Sequence, residues 1–76
     1  MVKMVDMVYV IILEDDTFFK DGGTEGNMAI ISVTQVHEAQ FFSKKLASIK
    51  SLELIDVNRK NKVLPLVLTV VPNIIY

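Results

Sequence analysis

The sequence predicts an α+β fold: a mostly antiparallel sheet with one helix packed on a face, in the order β-β-β-α-β-β. Three observations point there. Short runs rich in Val, Ile and Phe alternate with polar turns over the first 33 residues. The apolar period then changes from two to three and four through residues 34–50. A strand pattern resumes over 51–57 and again from Val63.

VYVIIL at 8–13 is β-branched and aromatic, and the acids Glu14-Asp15-Asp16 stop it. Both alternating sets, Val8/Val10/Ile12 and Tyr9/Ile11/Leu13, are apolar, which suits the middle of a sheet or an interface. EDD at 14–16 is a turn, TFFK at 17–20 returns as the second strand, and DGGTEG at 21–26, with all three glycines, is a loop. NMAIISV at 27–33 resumes the strand pattern.

Ser32-Val33-Thr34-Gln35 fits an S-x-x-Q capping box, with Thr34 as a competing N-cap. Beyond it Ala39, Phe42, Leu46 and Ile49 fall within about 80° of one another at ~100° per residue, a stripe that would face the sheet. This predicts a helix over 34–50, then a strand over SLELIDV at 51–57, a polar turn NRKNK at 58–62, and a last strand from Val63. Pro65 and Pro72 place that last segment at an edge, because proline cannot donate to a ladder. Leu66-Val67-Leu68-Thr69-Val70-Val71 between them is apolar on both faces, so another chain or the protein's own N-terminus should cover it.

Seventy-six residues make a single small domain. A chain of this size buries only ~60% of its unfolded surface. Yet 51% of its residues are hydrophobic, and mean hydropathy is +0.43. Without cysteine there is no disulfide and no thiol chemistry, and the lone His37 leaves no zinc cluster. Association with a second subunit is one way to shelter so much apolar surface, and a compact monomer absorbing many small Val and Ile side chains is the other. Net charge is −1, but residues 1–43 hold two basic groups against seven acidic ones (−5), and residues 44–76 six against two (+4). Such asymmetry marks a nucleic-acid face, a head-to-tail contact or merely solvated charge.

The run from Met7 to Leu13 is short for a signal core and lacks a cleavage site. The 14-residue tail VLPLVLTVVPNIIY falls below the ~20 apolar residues of a helical span. No membrane partner is expected, and a cytoplasmic location is the default.

VYVIILEDDTFFKDGG, NMAIIS, VHEAQFFSKKL and LELIDV together resemble small uncharacterised proteins of phages and prophages in Gram-positive bacteria, over roughly residues 7–57. The resemblance implies a first strand at or near the initiator methionine, so that Met7 is the natural beginning and residues 1–6 an N-terminal extension. MVKMVD itself has period three, which suits neither a strand nor a useful helix. The tail 63–76 extends past the family's usual last strand and is more apolar. The family brings no activity, cofactor or site residue with it.

Glu14, Asp15, Asp16, Asp21 and Glu25 crowd two turns, but the Ca²⁺-loop pattern D-x-[DN]-x-[DN]-G is missing and turn acids are ordinarily solvated. DGGTEG has neither phosphate-loop spacing. His37 falls off the apolar stripe, and Ser32, Ser43, Ser48 and Ser51 read as caps or small surface residues. Phe41 would project between His37 and Lys45, about 120° from the stripe, to stack bases, meet a partner or tuck under the hairpin. No catalytic, cofactor or metal residue is assigned. The expected function is that of a non-catalytic interaction protein, a homodimer or higher, using Leu66, Leu68, Val70, Val71, Ile74 and Ile75. An unidentified protein partner is compatible with the same surface. The alternative is a nucleic-acid accessory protein using Lys44, Lys45, Lys50, Arg59, Lys60 and Lys62.

Overall fold

A computed structural model describes residues 4–24 and 26–70, with side chains over 7–24 and 26–67. The chain is α+β: four antiparallel strands, β1 (Met4–Leu13), β2 (Phe18–Asp21), β3 (Ile30–Val33) and β4 (Asn61–Val70), with one helix, α1 (Lys44–Asp56). Strand order across the sheet is β3-β2-β1-β4. The doubly apolar β1 therefore lies inside the sheet, where its composition suits it.

β1 and β4 pair over ten residues, from Met4 opposite Val70 to Leu13 opposite Asn61. Residues 63–70 of the apolar tail are thus paired along one edge with the protein's own N-terminal strand. Met4, Val5 and Asp6 belong to that strand: ladder pairing, not periodicity, carries it past Met7. At the other end the chain turns through Glu14–Thr17. The Leu13 N–H donates to the Thr17 carbonyl at 2.8 Å, and Asp16 takes a left-handed φ of 64°. Aspartate tolerates that region better than most side chains. β2 runs back with Phe18 opposite Ile12, and β3 follows with Val33 opposite Phe18.

The connection between β3 and α1 departs from the predicted helix over 34–50. A single 3-10 turn at Val36–Glu38 is followed by extended chain, and Ser32 lies in β3 opposite Phe19 with no capping box. The reason is a long-range backbone pairing. The Phe42 N–H donates to the Tyr9 carbonyl at 2.8 Å, and the Tyr9 N–H to the Phe42 carbonyl at 2.9 Å. The Gln40 N–H reaches the Phe19 carbonyl at 3.4 Å. These groups would be spent internally in a helix; here the sheet satisfies them. Ala39 and Phe42 are buried as expected, but from extended chain, and the Phe42 ring stacks on Phe19 with centroids 6.2 Å apart.

α1 instead begins at Ser43, whose Oγ accepts the Leu46 N–H at 3.3 Å. It runs on through residues 51–56 with Val57 as its C-cap, so the predicted strand at 51–57 is the second half of the helix, and among the described residues one strand follows it. A Schellman motif closes it: Asn58 is left-handed (φ 63°), its N–H donates to Ile55 at 2.9 Å, and the Arg59 N–H donates to Leu54 at 2.8 Å. Ser51 Oγ donates to Asn61 Oδ1, and Asn61 Nδ2 returns a bond to the Ser51 carbonyl at 3.1 Å, tying the helix to the start of β4.

One face of the sheet carries the main core cluster, while Val10, also fully buried, alternates to the other face. Ile11, Leu13 and Phe19 meet Phe42, Ala47 and Leu54, with Tyr9, Met28, Ile30 and Val63 packed against them. Ala47 and Leu54, seven residues apart, mark the inward face of α1. Leu46 (52% exposed) and Ile49 (42%), expected in the buried stripe, point away from it. Leu54→Ala should therefore cost about 2–4 kcal/mol. Leu52→Ala, at a site 63% exposed, should stay within about 0.5 kcal/mol in dilute solution. Chemical denaturation of both variants checks the face assignment, and equal losses would contradict it.

Candidate interaction surface

β4 lies at the edge of the sheet, and the way it carries Pro65 follows from Tyr9. Both backbone groups of Tyr9 are taken by Phe42 on the side away from β4. Tyr9–Pro65 is therefore a non-hydrogen-bonded pair of the β1–β4 ladder. Proline's missing donor then falls on the outer edge of β4, where no ladder bond is lost. By alternation Asn61, Val63, Val67 and Thr69 also turn their N–H and C=O groups outward. Pro65 blunts this edge at its middle, leaving an open stretch on each side.

The ladder also outruns the rest of the fold. Among the described residues, the Tyr9–Phe42 bridge is the last backbone pairing of β1 on its β2 side. Residues 4–8 and 66–70 therefore form a two-stranded ribbon. The chain measures 50 × 25 × 20 Å, and its radius of gyration is 14.5 Å against about 11 Å for a compact chain of this length. Two strands alone are marginal in water. On the ribbon, Met7 (53% exposed) sits opposite Val67 (60% exposed); Leu64, nearer the base and on the other face by alternation, is 38% exposed.

Of the interface residues expected from sequence, Leu66 is half-buried opposite Val8. Leu68 and Val70 stand in β4 opposite Asp6 and Met4. Val71, Ile74 and Ile75 lie outside the described residues, as does Glu25.

The six basic groups do not converge. Lys44 and Lys45 open α1, whereas Arg59, Lys60 and Lys62 follow its far end, about 20 Å away by helix rise. Arg59 Nε pairs with Glu14 Oε1 at 2.5 Å. Lys50 Nζ pairs with Asp21 Oδ2 at 3.0 Å and Glu53 Oε2 at 3.2 Å. Phe41 is exposed on the extended segment before α1 rather than between His37 and Lys45 on a helix, and His37 lies in the 3-10 turn near Glu38 at 3.9 Å.

Asp21 organises the glycine loop. Its Oδ1 accepts the Gly23 N–H at 2.9 Å and the Ala29 N–H at 3.1 Å, and its own N–H donates to Gln40 Oε1 at 2.8 Å. Gly23 is required sterically, because a Cβ there would lie 1.8 Å from the Asn27 carbonyl oxygen. The Gly23 N–H, then Lys50 and the Ala29 N–H, hold the Asp21 carboxyl below its ordinary range, with burial opposing them. Asp21 first, then Glu53, raises the Lys50 ammonium. The Thr17 hydroxyl lowers Asp15 in the other turn. An open cleft of about 550 Å³ lies over Asp21, Lys50 and Glu53, where both carboxylates pair with the one ammonium and leave one negative charge in excess. Among the described residues, no three His, Cys, Asp or Glu groups are placed to hold a metal ion. No helix there is long and apolar enough to cross a membrane.

Sequence reasoning missed the Asp21–Gln40–Lys50 latch, because separations of 19 and 29 residues carry no local signal. No family model, curated protein or solved structure matches the chain.

The latch sets a pH dependence. The folded Asp21 carboxyl binds protons more weakly than the unfolded one, so its contribution is complete above the ordinary carboxylate range and lost as pH falls through its lowered value. Lys50 has the opposite sign: its contribution is complete below the ordinary lysine value and lost as pH rises through its raised one. Asp21→Asn should cost about 1–2 kcal/mol at neutral pH and flatten the acid limb of stability against pH, measured by urea unfolding. An unchanged acid limb would remove Asp21 from that role.

Proposed function

We propose that the chain is a small non-catalytic interaction protein that associates with a second copy of itself through the β1–β4 ribbon, along the outer edge of β4 beyond Pro65. The observation that carries this reading is the bare apolar pair Met7–Val67 on a ribbon with no third strand among the described residues. A second copy adding its own 66–70 segment antiparallel would meet the outward groups of Val67 and Thr69 and cover the exposed side chains. Ion pairing of Lys50 with Asp21 and of Arg59 with Glu14 engages two of the six basic groups and weighs against a nucleic-acid face.

Val67→Pro tests the edge directly. It removes an outward N–H while sparing the ladder to β1, whose bonds come from the alternate residues. Light scattering at low micromolar concentration should find wild type as an oligomer, and Val67→Pro or Val67→Asp as a monomer with unchanged circular dichroism. A monomeric wild type, or variants of unchanged mass, would overturn the proposal.

A further inference from the structure

α1 is covered on one side only, yet it also carries large apolar residues on its uncovered side. Leu46, Ile49, Leu52 and Ile55 are 52, 42, 63 and 54% exposed. At ~100° per residue, Ile49 and Leu52 sit about 60° apart at the middle of the outward face, opposite Ala47 and Leu54. Lys45 and Asp56 fall between them in angle, one turn beyond them at either end. The spacing 45, 49, 52, 56 is four, three, four, the seam of a coiled coil.

That seam is self-complementary. Laid antiparallel against a second copy about a two-fold axis between residues 50 and 51, Ile49 meets Leu52 of the other helix and Lys45 meets its Asp56. Ser48 falls beside Glu53, and Leu46 and Ile55 flank the contact. The charges point the same way. Lys44 and Lys45 occupy the first turn and Asp56 the last, each at the end of the helix dipole that disfavours it. An antiparallel neighbour brings a carboxylate to the first turn and an ammonium to the last. Neither Lys45 nor Asp56 makes an ion pair among the described residues.

We infer that the outer face of α1 is a second homotypic contact, an antiparallel α1–α1 pair closed by two symmetric Lys45–Asp56 ion pairs. It is independent of the β4 edge, and two such isologous contacts on one chain build assemblies larger than a dimer. Two helices about 20 Å long fall short of the ~800 Å² per partner of a standard interface, so this contact forms at higher concentration than the ribbon contact.

Sedimentation equilibrium up to submillimolar concentration tests it, in wild type and in the Val67→Asp chain that isolates it. In the Val67→Asp chain, a monomer–dimer equilibrium should appear. K45E or D56K alone should weaken it about tenfold, since two attractive pairs become repulsive. The K45E/D56K double variant should restore it to within about threefold, and Leu52→Asp should abolish it. Persistence of the dimer in K45E and Leu52→Asp, absence of any dimer, or failure of the charge swap to restore pairing would each overturn the inference. None of these outcomes bears on whether Val67 substitutions change the wild-type mass, so the two contacts stand or fall separately.

Discussion

The ten-residue ladder between β1 and β4 is the constraint from which the rest of the molecule follows. It joins the two ends of the chain, so helix, hairpin and loop are all segments closed between its strands. Its alternation decides which side chains face α1: Ile11, Leu13 and Val63 turn to the core, while Val8, Ile12 and Leu66 turn to the other face. Its length also creates the exposure at its far end, because β2 and the Tyr9–Phe42 bridge support only part of β1.

Tyr9 is the pivot of that arrangement. By giving both backbone groups to Phe42 it holds residues 40–42 extended, delays the helix to Ser43, and brings Phe42 onto Phe19. The same commitment puts the opposite pair of the ladder in the non-hydrogen-bonded class, so Pro65 costs no ladder bond. Proline at the edge and phenylalanine in the core are consequences of one pairing.

α1 shows how a short chain with abundant hydrophobic residues distributes them. One sheet face accommodates Ala47 and Leu54 but leaves Leu46, Ile49, Leu52 and Ile55 of the same helix exposed. Roughly half its circumference meets water, as do Met7 and Val67 on the ribbon, and both features give physical grounds for association.

Much of the fold was legible in residue pattern alone, because strands and turns are set by neighbours. β-branched runs marked β1 and β3, the EDD turn closed the hairpin, three glycines marked the loop, and the doubly apolar first strand belonged inside a sheet. Local rules also held the true ends of the helix, Ser43 before Lys-Lys-Leu and Asn58 after Asp-Val, but a competing cap at Ser32 and a strand-like LELIDV masked them. Only tertiary structure settled that competition: helix and extended chain offer residues 34–43 equivalent hydrogen bonding, and the partner that decides between them is Tyr9, 33 residues away. The same distance dependence hid the Asp21–Lys50 latch and turned Leu46 and Ile49 outward. Composition fixes how much apolar surface there is, whereas which part is left bare depends on contacts that no local window contains.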